Sequence, residues 1–226
     1  MKTQVAIIGG GPAGMLLSEI LHRAGVDSVV LERRSRAYVL SRIRAGVLEP
    51  GTVEVLRANG LGERMDREGH AHDGMKIVWA GRDSFFIDVK KHVGKRFMAY
   101  GQTSIQEDLF AAADRRKAMV LDEAEDVQPV DVASDQPHVT FRHRGESAYE
   151  RGTSALLEGY SDMALRRVWG SVRISWWLTN LLHRFPGMSE FDQRAQEFEL
   201  QYVSSSLHAQ AALAEQYAGM PFEEAA

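Results

Sequence analysis

The strongest constraint on the fold is a cluster of glycines that directly follows a short apolar run near the N-terminus. Residues 4–8 are typical of a buried strand, and residues 15–24 carry apolar side chains at helical spacing. A second apolar run over residues 27–31 ends at Glu32. The order strand, glycine turn, helix, strand is the beginning of a parallel sheet. The sequence therefore predicts an α/β fold.

Three of the clustered glycines have the spacing of a dinucleotide-binding turn. Gly9, Gly11 and Gly14 fit G-x-G-x-x-G between a strand and a helix, and Glu32 ends the next strand. Gly9 permits the tight turn, Gly11 lets the backbone approach a pyrophosphate, and Gly14 lets helix and strand pack closely. The helix N-terminus offers N–H groups to phosphates, and Glu32 can accept hydrogen bonds from a ribose but disfavours a 2′-phosphate. We predict a Rossmann-like βαβ unit that binds the ADP half of a dinucleotide. The fingerprint serves both FAD and NAD, and FAD is the expected cofactor.

A basic stretch over residues 33–44 is the second unusual feature. Its last residues, Arg42, Ile43 and Arg44, lie just before a small-residue segment, which consists of Ala45, Gly46 and Val47. Backbone without large side chains can lie close to a flat ring or a phosphate. Arginines here can bind the pyrophosphate or a second, transient nucleotide, whereas the competing interpretation of most of them is a solvated loop.

The rest of the chain divides into a mixed segment and a helical segment. Strands are predicted over residues 75–79, 85–89, 97–100, 119–132 and 139–142, with a turn at Gly81 and Asp83, and helices over 53–59 and 104–113. The pattern becomes helical after Gly145, from residue 155 onward, with a last helix over 190–216. We predict an FAD-binding domain with added β-strands over residues 1–147 and a long-helix C-terminal region over 148–226.

Composition excludes several kinds of site. The chain has no cysteine, which rules out disulfides, thiolate metal sites and cysteine nucleophiles. A net charge of −4 provides no electrostatic footprint for nucleic acid. No signal peptide and no membrane span is predicted, so a cytoplasmic protein is expected. His70, His72 and Asp73 are interpreted as a polar turn rather than a metal site.

Several segments resemble the flavin-dependent aromatic hydroxylases. The matching N-terminal segments are KTQVAIIGGGPAG, VVLERRSRAYVLSRIRAGVLEPG and AYGQTSIQEDL. The matching C-terminal segments are LLEGYSDMALRRVWGSVRISWW, LLHRFPGMSEFDQR and AEQYAGMPFEE. The resemblance implies an FAD enzyme that uses NADPH and O₂ to hydroxylate a small aromatic acid, 4-hydroxybenzoate, to 3,4-dihydroxybenzoate.

The same resemblance implies roles for particular residues. Glu32 would hold the FAD ribose, residues 42–47 would wrap the flavin side, and Gln102 would make a further FAD contact. Ala13 stands where the family usually has serine, so one hydroxyl contact is lost. Tyr217 matches a tyrosine that helps to relay the proton of the substrate phenol. The segment resembling the family's NADPH-recognition region contains Arg33, Tyr38, Arg42 and Arg44.

Between Glu146 and Arg151 the family has a long internal block that this chain lacks. By resemblance, that block carries the second flavin motif, the sheet of the substrate domain and the side chains that hold the substrate. We therefore expect impaired hydroxylation, with peroxide as the main product of O₂ reduction. Exposed strand edges and Trp169, Trp176 and Trp177 favour a homodimer, unless these tryptophans are core residues. A non-catalytic FAD- or ADP-ribose-binding protein and an NAD-dependent dehydrogenase stay open as alternatives.

Overall fold

The structure is a computed structural model that describes residues 3–42, 44–78, 84–132, 134, 136–151 and 160–219. The chain forms two compact units, each built from separate stretches of sequence. The first unit comprises Met1–Val47, Val53–Gly69 and Ala99–Glu158, and the second comprises Leu48–Thr52, His70–Met98 and Gly159–Ala226. The predicted division of the sequence at residue 147 stays a prediction.

Strands and helices alternate over the N-terminal two thirds of the chain, and helices follow. In chain order the elements are β1 (Val5–Ile8), α1 (Pro12–Arg23), β2 (Ser28–Glu32), α2 (Arg36–Ser41), β3 (Val47–Leu48), α3 (Pro50–Ala58), α4 (Glu63–Glu68), β4 (His70–His72), β5 (Met75–Ile77), β6 (Phe85–Ile87), α5 (Val89–Val93), β7 (Phe97–Ala99), α6 (Gln102–Arg115), β8 (Met119–Asp122), β9 (Ala124–Val130), β10 (His138–His143), β11 (Glu146–Arg151), α7 (Tyr160–Leu182), α8 (Glu190–Ser205) and α9 (Leu207–Tyr217).

The first unit is organised around a parallel sheet in the order β1-β2-β8. Val5 lies opposite Ser28, and Val29 lies opposite Met119, with all strands parallel. The connection from β1 to β2 is α1, which begins with Pro12 at its first turn, where the missing N–H costs nothing. Helix α1 packs against α6. The predicted α/β fold with a Rossmann-like βαβ unit is confirmed.

The prediction of one strand over residues 119–132 is wrong, because the chain changes sheets at Glu123. This residue has a φ of +60°, in the left-handed region, and it separates β8 from β9. Whereas β8 pairs in parallel with β2, β9 pairs antiparallel with β10, which also pairs with β11. A hydrophobic cluster joins the two sheets and contains Val29, Leu31, Ala124, Val139 and Phe141.

The second unit contains an antiparallel hairpin and a hydrophobic core to which the hairpin, β7 and the C-terminal helices contribute. The two strands predicted on either side of the turn are present as β5 and β6, and Met75 lies opposite Ile87. The predicted turn residues Gly81 and Asp83 lie outside the described residues. The interpretation of residues 70–73 as a polar turn is wrong for His70–His72, which forms β4 in a sheet of order β3-β7-β4. Hydrogen bonding to β7 supplies these residues with the backbone partners that a turn would otherwise provide.

The predicted helical C-terminal region is confirmed, but its last helix is broken. Residues 190–216 form two helices, separated at Ser206, which has an extended backbone with φ −100° and ψ 113°. The Ser206 side chain accepts a hydrogen bond from the Ala209 N–H at 3.2 Å, so it caps α9. The predicted start near residue 155 lies outside the described residues. The described part of α7 begins at Tyr160. None of the described helices combines the length and the apolar character needed to cross a membrane.

Candidate functional site

The glycine turn between β1 and α1 has the close backbone packing that its spacing predicts. Gly9 has a φ of +112°, which favours glycine, and its N–H donates to the Leu31 carbonyl at 2.9 Å. A Cβ on Gly14 would lie 2.0 Å from the Gly9 carbonyl oxygen and 3.1 Å from the Ile7 side chain. The turn and the first turn of the helix are therefore in direct contact, and only glycine fits at position 14.

Glu32 at the end of β2 faces this turn. One of its carboxylate oxygens accepts a hydrogen bond from the Gly10 N–H at 2.8 Å, and the other accepts from the Arg34 N–H at 2.9 Å. A Cβ on Gly10 would lie 2.8 Å from the Glu32 Cβ. The sequence order of glycine turn and acidic residue thus becomes a contact in space. Each carboxylate oxygen has two lone pairs, so Glu32 retains the capacity to accept hydroxyl groups of a ribose.

The N-terminus of α1 presents unpaired backbone donors. The N–H groups of Gly11, Ala13 and Gly14 have no hydrogen-bond acceptor within the part of the chain that the structure describes. The first turn of the helix contains no acidic side chain. A Cβ on Gly11 would meet no atom within 4 Å. This end of the helix therefore combines partial positive charge with open space, as an anion-binding site requires.

A cavity of about 450 Å³ lies in front of this helix end. Its lining residues are Gly11, Pro12, Glu32, Arg33, Arg34, Tyr38, Val39, Arg42, Arg44, Gln102, Thr103 and Gln106. Four arginines and one carboxylate give the cavity an excess of positive charge, which attracts a diphosphate. The structure thus brings together five of the residues that the sequence singled out by charge or by the fingerprint: Gly11, Glu32, Arg33, Arg42 and Arg44.

Helix α2 and the residues that flank it supply Arg34, Tyr38 and Arg42 to the wall of the cavity. The Ser35 side chain caps this helix by accepting from the Tyr38 N–H at 3.3 Å. Arg36 makes two hydrogen bonds to the Asp114 carboxylate, at 2.8 and 3.0 Å, and these raise the pKa of Arg36. The guanidinium groups of Arg34 and Arg42 lie 5.2 and 5.7 Å from the centre of the Tyr38 ring.

The small-residue segment before β3 makes a close backbone approach, but to the chain itself. The Gly46 carbonyl accepts from the Tyr100 N–H at 2.7 Å, and a Cβ on Gly46 would lie 2.8 Å from the Gly101 Cα. Ala45 and Val47 on either side are exposed. Ile43 lies outside the described residues. This segment therefore runs beside the N-terminus of α6, whose first residue, Gln102, lines the cavity.

Tyr217 is not among the residues that line this cavity. It lies at the end of α9 in the second unit, where its ring meets Phe97 edge-on with centroids 5.1 Å apart. Phe97 belongs to the hydrophobic cluster of that unit, and Tyr217 packs against the same cluster. The proton-relay role of Tyr217 stays a prediction.

Gln106 also lines the cavity, although the sequence did not single it out. Its side chain is only 3% exposed, and its Nε2 donates to the Gly10 carbonyl at 2.9 Å. Its Oε1 is buried and has no hydrogen-bond partner within the described part of the chain. The available signal was its position four residues after Gln102, which places both side chains on one face of α6. An unpaired buried acceptor, open N–H donors and clustered arginines together fit a dinucleotide.

A second, larger groove lies in the second unit. It has a volume of about 910 Å³ and is lined along α7 by Val168, Ser171, Val172, Ser175, Trp176, Thr179 and Asn180, together with Phe185. None of these side chains carries a charge, so the groove lacks the positive charge that the cavity beside α1 offers to a diphosphate. Over the described residues, no three histidine or carboxylate side chains are placed to hold a metal ion.

Comparison with known proteins shows the family to which the chain belongs. The family described as "FAD binding domain" matches residues 2–151. The p-hydroxybenzoate hydroxylase of Acinetobacter baylyi is 26% identical over 392 residues, which cover 99% of this chain and 96% of that protein. Because the alignment is much longer than the 226-residue chain and covers both proteins almost completely, the relative has internal positions that this chain lacks. That is the kind of gap the resemblance implied.

Other relatives match over shorter stretches. The 6-methylpretetramide 4-monooxygenase of Streptomyces rimosus is 38% identical over 96 residues, which cover 41% of this chain and 22% of that protein. The crystal structure of p-nitrophenol 4-monooxygenase from Pseudomonas putida superposes with a TM-score of 0.56 at 19% identity. The superposition covers 67% of this chain and 40% of that one, so this chain spans less than half of that protein's length. At this identity the likeness shows a shared fold.

Proposed function

The chain belongs to the FAD-binding domain family of flavin-dependent monooxygenases, and we propose that it holds FAD in the cavity beside α1. The observation that carries the proposal is the position of Glu32, fixed at the glycine turn by the Gly10 N–H at 2.8 Å. A carboxylate for the ribose and open N–H groups for the diphosphate are thereby adjacent. The proposed contacts are those predicted from the sequence: Gly9, Gly11, Ala13, Gly14, Glu32, Arg33, Arg42, Ile43, Arg44, Ala45, Gly46, Val47 and Gln102.

We propose that the reaction is NADPH- and O₂-dependent oxidation of the 4-hydroxybenzoate hydroxylase type, in an impaired form. When bound, FAD would supply the redox chemistry, accepting a hydride and passing two electrons to O₂. The residues of the chain bind the diphosphate, orient the ribose and supply positive charge. The relative from Acinetobacter baylyi supports this reaction type, and the internal positions it has in excess support the impairment. The expected net reaction is NADPH + H⁺ + O₂ → NADP⁺ + H₂O₂, because a hydroxylating site must also orient the substrate and exclude water.

NADPH is proposed as the transient electron donor at the basic surface of α2. Tyr38 is an exposed aromatic ring, with the Arg34 and Arg42 guanidinium groups near its face. Arg33 and Arg44, which are also proposed FAD contacts, line the cavity beside α1 together with these three side chains. Guanidinium groups bind phosphates in two-pronged fashion, and a 2′-phosphate distinguishes NADPH from NADH. A higher kcat/KM for NADPH than for NADH supports the proposal, and equal values contradict it.

The test of function begins with the colour and absorption spectrum of the purified protein, before and after incubation with FAD. Bound FAD supports the proposal, whereas an NAD-dependent dehydrogenase would bind no flavin. NADPH consumption, peroxide and 3,4-dihydroxybenzoate are then measured together in the presence of 4-hydroxybenzoate. Peroxide that matches the NADPH consumed supports the impaired reaction. Hydroxylated product that matches it refutes the impairment, and no NADPH oxidation by the FAD-loaded protein indicates a binding protein without catalysis.

We also propose that the chain forms a homodimer through the apolar helix faces of its second unit. Trp169 and Trp176 of α7 are each 66% exposed, and Phe191 and Phe198 of α8 are 79% and 71% exposed. Exposed aromatic side chains that recur along a helix mark an interaction surface. Sedimentation velocity over a range of concentrations tests this proposal. A species that stays monomeric at every concentration contradicts it.

A further inference from the structure

Gly10, in the middle of the glycine turn, is held from both sides by side chains. Its N–H donates to Glu32 at 2.8 Å, and its carbonyl accepts from Nε2 of Gln106 at 2.9 Å. The fingerprint explains Glu32 but assigns nothing to Gln106. The second bond links α6 to the turn across 96 positions of sequence, and it is buried.

Orientation of the Gly10–Gly11 peptide follows from that second bond. In a trans peptide, the carbonyl of one residue and the N–H of the next point in opposite directions. Because Gln106 fixes the Gly10 carbonyl toward α6, the Gly11 N–H points away from α6. A Cβ on Gly11 would meet nothing within 4 Å, so the chain leaves space at this residue. Fixing a donor before the ligand arrives reduces the entropy lost on binding.

The other end of the Gln106 amide points to a ligand independently. Oε1 is buried without a partner in the described residues, and the side chain borders the cavity. A buried acceptor without a partner is costly, so a donor is expected when the site is filled. Phosphate oxygens only accept hydrogen bonds. Of the donors on FAD, the hydroxyls of the adenosine ribose and of the ribityl chain lie nearest the diphosphate, whereas the adenine amino group and the flavin N3–H lie at the two ends of the molecule. The donor expected beside the glycine turn is therefore a hydroxyl of the ribose or of the ribityl chain.

We propose that Gln106 is a positioning residue for the dinucleotide diphosphate: it orients the Gly11 N–H through the Gly10 carbonyl and accepts a hydroxyl of the ligand with Oε1. This role rests on the proposed binding of FAD at the same turn. Gln106 takes no part in the redox step, so its substitution is expected to change the affinity for FAD and for fragments that contain the diphosphate.

The experiment measures the Kd for FAD by flavin fluorescence in wild type, Gln106→Met and Gln106→Glu. Gln106→Met removes donor and acceptor, and a loss of about tenfold in affinity is expected, from the usual worth of a hydrogen bond. Titration with ADP separates the two hydroxyl sources. An equal loss for ADP and FAD assigns the hydroxyl to the ribose, whereas a larger loss for FAD assigns it to the ribityl chain.

Gln106→Glu supplies a readout that a purely structural role would not move. At pH 8 the introduced carboxylate cannot donate to the Gly10 carbonyl, so FAD binds more weakly than to wild type. As the pH falls and the introduced carboxyl gains a proton, the donor returns, and the affinity is expected to approach that of wild type measured at the same pH. A Kd ratio between variant and wild type that does not change with pH overturns the proposal.

Gln210→Met is the matched control. Gln210 is also a buried glutamine, 9% exposed, and its Nε2 donates to the backbone carbonyls of Val203 and Ser204 in the second unit. Its substitution is expected to leave the Kd for FAD unchanged. If wild type binds no FAD, the proposed function fails. If wild type binds FAD, and both Gln106 variants bind FAD as tightly as wild type at pH 8, only the proposed role of Gln106 is contradicted.

Discussion

The two compact units differ in the kind of side chain they bury and expose. In the first unit, Ser18, Glu19 and Gln106 are buried polar residues on the two helices that pack together, α1 and α6. The second unit buries an apolar cluster, has Gln210 as a buried polar residue, and exposes aromatic residues along α7 and α8. Buried polar groups need specific partners, whereas apolar faces need only to be covered. The first unit thus has buried polar groups next to the site proposed for FAD, and the second has the exposed aromatic surface proposed for dimerisation.

The largest expected effect is on the glycine turn of the first unit. Gly14→Ala brings a Cβ to 2.0 Å from the Gly9 carbonyl oxygen, so the free energy of unfolding is expected to fall by about 3 kcal/mol, the upper end of the usual overpacking cost. Urea denaturation followed by circular dichroism measures it. Gly170→Ala in α7 is the control, because its Cβ would meet no atom within 4 Å and helical alanine is favoured over glycine. Equal free energies of unfolding for the Gly14→Ala and Gly170→Ala variants would contradict this prediction.

The buried ion pair between α1 and α6 is expected to have the next largest effect. Arg116 donates to Glu19 at 2.9 Å and to Ser18 at 2.9 Å, and the Arg116 and Glu19 side chains are 13% and 10% exposed. Arg116→Met leaves the Glu19 carboxylate with Arg23 alone. The free energy of unfolding is expected to fall by about 2 kcal/mol, which is less than the usual cost of a broken buried pair because Glu19 keeps Arg23.

An exposed ion pair in the second unit provides the comparison. Arg194→Met removes a pair with Glu190 in α8, in which both side chains are more than 70% exposed. A change below about 0.5 kcal/mol is expected for such a helix pair. A cost for Arg194→Met as large as that for Arg116→Met would contradict the view that the first unit depends on its buried polar contacts.

Self-association is expected to respond only to changes in the second unit. Trp176→Ser and Phe198→Ser each remove an exposed aromatic ring, and each is expected to raise the dimer dissociation constant about tenfold, as a moderate interface hot spot does. Tyr38→Ser is the control, because Tyr38 is an exposed aromatic residue of the first unit. If Tyr38→Ser raised the dimer dissociation constant more than Trp176→Ser or Phe198→Ser, the interface would lie in the first unit and the proposal would be contradicted.

The smallest expected effect is a pH dependence of stability in the first unit. Burial, followed by the 2.6 Å hydrogen bond to Asp108, raises the pKa of Tyr100 well above its usual range. The neutral phenol is therefore favoured in the fold. Its contribution is complete below the ordinary tyrosine pKa of about 10 and is lost as the pH rises further. Tyr100→Phe is expected to reduce the loss of stability above pH 10, and an unchanged slope would argue against it.

Local sequence signals predicted the βαβ unit because each of its elements has a recognisable pattern of residue types over a short stretch of sequence. The apolar runs of β1 and β2 and the glycine spacing needed no knowledge of distant contacts. Glu32 also lay within that pattern, and its bond to Gly10 follows from the close packing of β1 and β2.

Features that depend on distant residues or on unusual backbone were missed. The change of sheet at Glu123 requires a non-glycine residue at positive φ, which has no clear sequence signal. Ser206 was read as part of a helix, although serine is a favoured cap. The spacing of Gln102 and Gln106 places both on one face of α6, but the sequence gives no sign of the bond from Gln106 to Gly10, which is 96 positions away.

The account depends most on the proposal that the open end of α1, beside Glu32, binds FAD. Titration of wild type, Gly11→Leu and Glu32→Ala with FAD, followed by flavin fluorescence, tests it most directly. A side chain on Gly11 meets no protein atom within 4 Å at its Cβ, so Gly11→Leu is expected to fold normally and to lose FAD binding. Glu32→Ala is expected to weaken binding as well. FAD affinity equal to that of wild type in the folded Gly11→Leu variant would contradict the account.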